Sequence, residues 1–295
     1  MPRRRALESV AGLTVLITGA AQGMGELFAT RACAEKAKRV ILWDVNAPLL
    51  EHKAQHLRLA NPQVVIETQV IDLVDAQSIA EGAALALAGG GIDILVNNAG
   101  VVTGRPFAEH TTNQIGTALA VNTLAPMYLT HALLPQLGVQ RPGRILTIAS
   151  AAALVSNPNM SVYAASKAAV ASFSDSLRLE LERDAARDLA VTTFCPTYVD
   201  TGMFAGARRM LLTPMLPKQQ VADRAWDAML RATPMVLLPW TSKLGQALRG
   251  VLPRAVWDLL AEKVLGIYHS MDDFSGHAPV NTAARRLPGE GAENN

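Results

Sequence analysis

The sequence predicts an α/β protein: a doubly wound, mostly parallel sheet of about seven strands in a single domain, with a helical C-terminal extension. Three observations predict it. Short apolar runs alternate with helical stretches, the pattern of a parallel sheet covered by helices on both faces. The first run ends in a glycine-rich turn, T-G-A-A-Q-G-M-G, at residues 18–25. Several later runs end in polar residues (Asp44, Asp72, Asn97, Ser150), at the carboxyl edge where such sheets bind ligands.

Residues 13–18 (L-T-V-L-I-T) read as a buried first strand, and residues 26–37 as the helix that follows. Residues 39–43 and 64–71 give the next two strands. Asp75 is placed to cap a helix reaching about Ala88. Residues 92–96 form a fourth strand, ending in N-N-A-G. Residues 112–137 predict one long helix, with Pro126 as a kink. A fifth strand at 143–149, a long helix at 161–183, a sixth strand at 190–195 and a short seventh at 235–238 complete the series. The domain is expected to span 13–239, after a solvated tail at 1–12 that carries Arg3, Arg4 and Arg5. Pro239 opens a helical extension at 240–280, and 281–295 reads as a flexible tail.

Composition narrows the classes. Half of the 295 residues are hydrophobic and 18% are charged, so the chain has the means to fold. A mean hydropathy of +0.19 points to a large core. The net charge of +2 makes no electrostatic case for nucleic acid. No run approaches the length of a membrane-spanning helix. Cys33 and Cys195 are the only cysteines. They read as buried small hydrophobes, which suggests a reducing, cytoplasmic setting. No clustered ligand set suggests a metal.

The glycine turn carries the first functional signal. Gly19, Gly23 and Gly25 suit a tight turn, close backbone approach to a pyrophosphate and close packing of helix on strand. Thr18, Gln22 and Met24 share the turn, and the helix start favours phosphate charge. The spacing, G-x-x-x-G-x-G, differs from the general dinucleotide fingerprint. Asp44, 19 residues past Gly25, ends the second strand. Its carboxylate can accept from the adenine ribose hydroxyls and would repel a 2′-phosphate. With no cation at Val45 or Asn46 and an uncharged Gln22, NAD is expected rather than NADP. Asp72 meets the adenine edge, with Leu73 beside it, or else caps its loop. Asn98, Ala99 and Gly100 either border the cofactor or support the sheet end.

The second signal is Tyr163 and Lys167, four apart in Y-A-A-S-K and so on one helix face. An ammonium beside a phenol favours the phenolate and brings it toward a working acid/base range. Ser150 lies 13 residues earlier, placed to hold a substrate oxygen against the tyrosine. Asn122, polar within V-N-T-L, offers its backbone or amide to a water linking the lysine to solvent.

Together these motifs resemble the short-chain dehydrogenase/reductase family, over roughly residues 13–238. The resemblance implies a seven-stranded Rossmann sheet, a nicotinamide cofactor and an Asn122–Ser150–Tyr163–Lys167 tetrad. It also implies that Tyr163 and Lys167 border the cofactor, with Lys167 on the nicotinamide ribose hydroxyls. Pro196, Thr197, Val199 and Thr201 are carried over as cofactor contacts, although Thr197 stands where the family has glycine. The segment C-P-T-Y-V-D-T-G-M-F and the extension with L-P-W and V-L-P-R are similar to retinol and 17β-hydroxysteroid dehydrogenases of the membrane-associated type. The chain is expected to be a soluble relative that lacks their N-terminal anchor.

The expected activity is reversible, NAD-dependent hydride transfer to or from a hydrophobic alcohol or ketone, of steroid, retinoid or lipid-like type. Residues 200–234 form the expected substrate lid, rich in Met203, Phe204, Met210, Leu211, Leu212, Met215 and Leu216. Leu154, Val155 and Tyr198 line the same pocket. The apolar and basic residues of 241–271 are expected to pack on the domain or a second subunit, with a membrane surface as the other reading. The long helices at 112–137 and 161–183 resemble the family's dimer-forming pair, so a homodimer or homotetramer is expected. Two alternatives use the same fold: a non-catalytic NAD-binding regulator, and an epimerase or dehydratase.

Overall fold

The computed structural model describes residues 4–208, 210–211 and 213–276. Its main sheet runs β3-β2-β1-β4-β5-β6-β9, all parallel. The first four strands are β1 (Thr14–Thr18), β2 (Arg39–Asp44), β3 (Val65–Val70) and β4 (Ile94–Asn97). The others are β5 (Gly143–Ile148), β6 (Leu189–Pro196) and β9 (Met235–Leu238). Two residues each of β7 (Val199–Asp200) and β8 (Leu216–Pro217) make a separate parallel pair. The order reverses between β1 and β4, which opens a crevice at their carboxyl ends.

Side chains alternate across the strands and build a core on each face. Val15, Ile17, Val40, Leu42, Ile94 and Val96 face α1 (Gly23–Ala34), α2 (Ala47–Ala60) and α7 (Lys218–Leu230). Leu16, Ile41, Trp43 and Leu95 face α3 (Ala76–Ala88), α5 (Ala125–Leu133) and α6 (Ser161–Arg183). With both faces buried, the strands read as near-continuous apolar runs.

Several elements depart from the sequence expectations. Helix α2 was not anticipated, although Asn46 caps it by accepting from Leu49 N and Pro48 stands in its first turn. The long helix expected at 112–137 is three pieces: α4 (Thr112–Leu119), a π-helical segment (Ala120–Leu124) and α5. The irregularity centres on Asn122 rather than on Pro126, which sits harmlessly in the first turn of α5. The expected lid at 200–234 is not all loop: its part beyond β8 is a core helix. That helix, α7, sinks Val221, Ala225 and Trp226 into the core, and Trp226 stacks on Phe28.

Residues 4–12 are not a solvated tail. Val10 is fully buried, Leu7 N donates to Leu230 O, and Arg4 donates to Leu181 O and Asp184 O at the end of α6. The extension forms α8 (Trp240–Val251) and α9 (Arg254–Lys263), then turns back toward the carboxyl edge of the sheet. Arg3 and the tail at 281–295 lie outside the described residues.

Candidate active site

The β1–α1 turn is shaped by close approach. Gly19 has φ +65°, and a Cβ there would lie 2.9 Å from Ala99 Cα. A Cβ on Gly25 would stand 2.0 Å from Gly19 O and 2.8 Å from Asn98 Nδ2, so the third glycine allows helix and strand to touch. Asn98 Nδ2 donates to Thr18 O and Gly19 O. Thr18 Oγ1 accepts from Asn98 N and Ala99 N and donates to Val96 O. Thr18, Asn98 and Ala99 thus brace the turn against the end of β4. Asp44 accepts from Ala21 N through one oxygen and from Asn46 N through the other. That ties β2 to the turn, and a carboxylate's remaining lone pairs still face outward.

These residues fit a dinucleotide. Helices α2 and α3 carry side-chain caps, Asn46 and Asp75. Helix α1 begins after Gln22 with no side-chain cap, which leaves first-turn N–H groups for an anion. Gly23, at φ +63°, faces the Thr201 methyl group across the crevice, 3.7 Å from where its Cβ would stand. Met24 packs on the core beneath the turn. Val199 is buried in that core beside Leu216, so it offers the crevice backbone. Pro196 ends β6, and Thr197 N bonds Leu238 O while its buried hydroxyl has no protein partner. Asp72 accepts from Val74 N within its own loop, the arrangement of a loop cap. Leu73 packs against the core on the α3 side.

The four tetrad residues converge from three elements: the end of β5, the π-helical segment and α6. Ser150 follows β5, accepts from Ala152 N and hydrogen-bonds the Tyr163 hydroxyl. Tyr163 and Lys167 lie one turn apart on α6, with Nζ 5.9 Å from the tyrosine ring centroid. Lys167 Nζ donates to Ile148 O, the last carbonyl of β5. Asn122 accepts from Val101 N and donates to Val101 O and Ser166 Oγ. Gly100 passes between, where a Cβ would be 3.3 Å from both Asn122 Oδ1 and Lys167 Nζ.

Electrostatics differ from the sequence expectation. Burial dominates both titrating groups: it pushes the Tyr163 phenol up to about 12, partly offset by the Ser150 hydrogen bond. It pulls Lys167 down to about 8. Burial outweighs any lowering of the tyrosine by the lysine, whose Nζ donates to the Ile148 carbonyl. Tyr163 therefore rests in its protonated, proton-donating form. Cys33 and Cys195 are buried, unpaired and raised to about 11 by burial, as expected of packing residues.

Beside Ser150 opens an apolar cleft of about 960 Å³, counting its solvent-open space. Its lining includes the anticipated Leu154, Val155, Tyr198, Phe204, Met210 and Leu211; Leu212 lies outside the described residues. Phe204 meets the Tyr163 ring edge-on, with centroids 6.0 Å apart. Sequence reasoning missed Ser166, which donates to Tyr163 O and holds Asn122. A small polar residue three after Tyr163 on the buried face was its only signal. It also missed Asn157, Ser270 and Met271, which reach the site from loops with no motif.

The model of the short chain dehydrogenase family matches residues 13–211. Human estradiol 17-beta-dehydrogenase 11 is 34% identical over 265 residues, covering 90% of this chain and 86% of that protein. Zebrafish retinol dehydrogenase 10-A is 32% identical, covering 83% and 80%. Among solved structures, a short chain dehydrogenase/reductase from Burkholderia phymatum in complex with NAD superposes with a TM-score of 0.73. It is 26% identical and is covered to 95%, against 83% of this chain. The chain belongs to the short-chain dehydrogenase family. It is a hydride-transfer oxidoreductase acting on CH–OH groups with a nicotinamide dinucleotide.

Proposed function

We propose that the protein is an NAD-dependent dehydrogenase of bulky apolar alcohols, running reversibly toward the matching ketones or aldehydes. The observation that carries this reading is an apolar cleft lined by Ser150 and by Phe204, which meets the Tyr163 ring edge-on. The relatives' names, estradiol and retinol dehydrogenases, agree with a substrate of that kind. The bound dinucleotide would supply the hydride acceptor, or the donor in reverse. Ser150 holds the substrate oxygen beside the Tyr163 hydroxyl. Tyr163 gives its proton to that oxygen in reduction, and its phenolate takes the alcohol proton in oxidation. Lys167 would hold the nicotinamide ribose hydroxyls, and its charged form beside the ring would favour the phenolate once Nζ leaves the Ile148 carbonyl. The Asn122 amide is committed to Val101 and Ser166, so its backbone, in the π-helical segment, is the group left to hold a relay water. Preference for NAD rests on Asp44, since the fold serves either dinucleotide.

The test is NADH formation across steroid, retinoid, long-chain and short-chain alcohols, with NADP in parallel and Tyr163→Phe as control. Turnover with NAD that vanishes in the variant supports the reading. Dinucleotide binding without turnover of any alcohol or ketone favours the regulator instead. A dinucleotide that survives purification favours the epimerase or dehydratase.

Assembly and location belong to the same proposal. Leu119, Leu124, Tyr128 and Leu179 are exposed on α4, α5 and α6 and nearby, which supports a homodimer or homotetramer through those helices. Two buried, unpaired cysteines suit the cytoplasm. Among the described residues no helix is long and apolar enough to cross a membrane. Peripheral contact is a second reading, favoured by Trp240 and Val251, which are 69% and 83% exposed on α8.

A further inference from the structure

Residues 265–276 return from α9 to the carboxyl edge of the sheet and cover Tyr163. Met271 is buried in one cluster with Tyr163, Phe204 and Met160. The segment is fastened to the 200–211 loop by backbone: Arg208 N donates to Ser270 O at 2.8 Å, and Ser275 N to Ala205 O at 3.0 Å. Gly206 lets the two strips touch, since a Cβ there would be 2.1 Å from Asp273 O.

At the centre is a hydrogen-bonded knot whose hydrogens have defined destinations. The hydroxyl of Ser270, which is 1% exposed, gives its one proton to Ile267 O at 2.7 Å. It therefore accepts from the Tyr198 hydroxyl at 2.8 Å and from Asn157 Nδ2 at 3.2 Å. Asn157 Nδ2 spends its other hydrogen on the Tyr198 oxygen, also at 3.2 Å. The knot joins three segments: the loop after Ser150, the loop after β6 and the C-terminal segment. Tyr198 then lies against Phe204, centroids 5.1 Å apart, and Phe204 lies edge-on to Tyr163. Asn157 and Tyr198 also line the apolar cleft.

We propose that Ser270 is a positioning residue. With Asn157 and Tyr198 it latches the C-terminal segment as a wall of the substrate cleft. Through Tyr198 and Phe204 it sets the space around Tyr163, and so the selectivity for bulky over short alcohols. This deepens the dehydrogenase reading and rests on it.

The test uses the full chain, wild type, Ser270→Ala, Tyr198→Phe and the double variant. Steady-state kinetics are measured on a sterol-sized and a short-chain alcohol, and backbone hydrogen exchange is followed at Arg208 and Ser275. Ser270→Ala is expected to raise KM for the bulky alcohol about tenfold, the order of one buried hydrogen bond, and to leave kcat for the short alcohol within about twofold. Exchange at Arg208 and Ser275 rises, and the double variant falls short of the sum of the single ones because both remove the Tyr198–Ser270 bond. Unchanged exchange in Ser270→Ala overturns the latch. An unchanged ratio of kcat/KM between the two alcohols overturns its role in selectivity. If the wild type oxidises neither alcohol, the dehydrogenase reading fails by itself, and exchange alone then decides the latch.

Discussion

The glycine turn and the wall over Tyr163 face the same crevice but are assembled differently. The turn is local in its glycines, since Gly19 and Gly25 touch within one strand-to-helix junction, while Asp44 reaches Ala21 N across 23 residues and Asn98 braces Thr18 O across 80. Residue type alone does most of the work there, because only glycine fits. The wall joins Asn157 to Ser270 across 113 residues, and Tyr198 to Ser270 across 72. None of those three is required by backbone geometry. The contrast is between a turn shaped mainly by residue type and a wall that exists only because distant segments meet.

The largest effect expected at their meeting point comes from Tyr163→Phe. Turnover falls by about 10²–10⁴-fold with loss of the acid/base, while dinucleotide binding, followed by NADH fluorescence, persists. Loss of both together would break the division between turn and wall. Next is Gly25→Ala, which forces a methyl group onto Gly19 O. It should cost about 1–3 kcal/mol of stability in urea unfolding and abolish tight dinucleotide binding. Unchanged binding would show that the turn is not the anchor. Asp44→Ala is expected to lower the NAD-to-NADP ratio of kcat/KM by about tenfold or more, as a carboxylate–ribose contact is lost. An unchanged ratio would remove Asp44 from cofactor choice.

A smaller effect is in pH. The folded Lys167 sits near 8, below its ordinary value. Between about 8 and 10.4 the unfolded chain therefore binds more protons, and stability from this site is lost as pH falls through about 8. Tyr163 is raised to about 12, so its contribution is present below about 10 and lost as pH rises through about 12. The urea midpoint of wild type relative to Lys167→Met should rise from pH ~8 to ~10; a flat difference would contradict the burial argument. The smallest effect is reserved for Trp240→Ser. It should leave turnover intact and reduce flotation with anionic vesicles only if α8 meets a membrane. Equal flotation of both proteins would assign the exposed face of α8 to protein contact.

Much of this was legible because the relevant physics is local. A parallel sheet buried on both faces must show apolar runs, and each run's end was readable from the polar residue that stops it. Thr18, Asp44 and Ser150 stand at or just past the carboxyl ends of β1, β2 and β5, and Tyr163 and Lys167 lie one turn apart on α6. Helix α2 escaped notice because its mixed polar sequence buries only Leu50 and Ala54. Sequence alone points to Pro126 as the kink because proline is the visible helix breaker, whereas the irregular turn falls at Ala120–Leu124, where the Asn122 amide is tied to Val101 and Ser166. The 218–230 stretch was assigned to the lid because a loop and an amphipathic core helix share the same apolar content until the sheet shows which face is covered.

By itself the sequence determined the α/β class, the mostly parallel sheet of about seven strands, the glycine turn and the spacing of the Tyr163–Lys167 pair. Those follow from backbone sterics, periodicity and spacing within single elements. The tertiary structure decided the rest. Burial, not the neighbouring ammonium, governs the Tyr163 proton. Residues 265–276 pack over Tyr163 together with Phe204. Both depend on which distant segments exclude water from the same few ångströms, and no local pattern of residues encodes that.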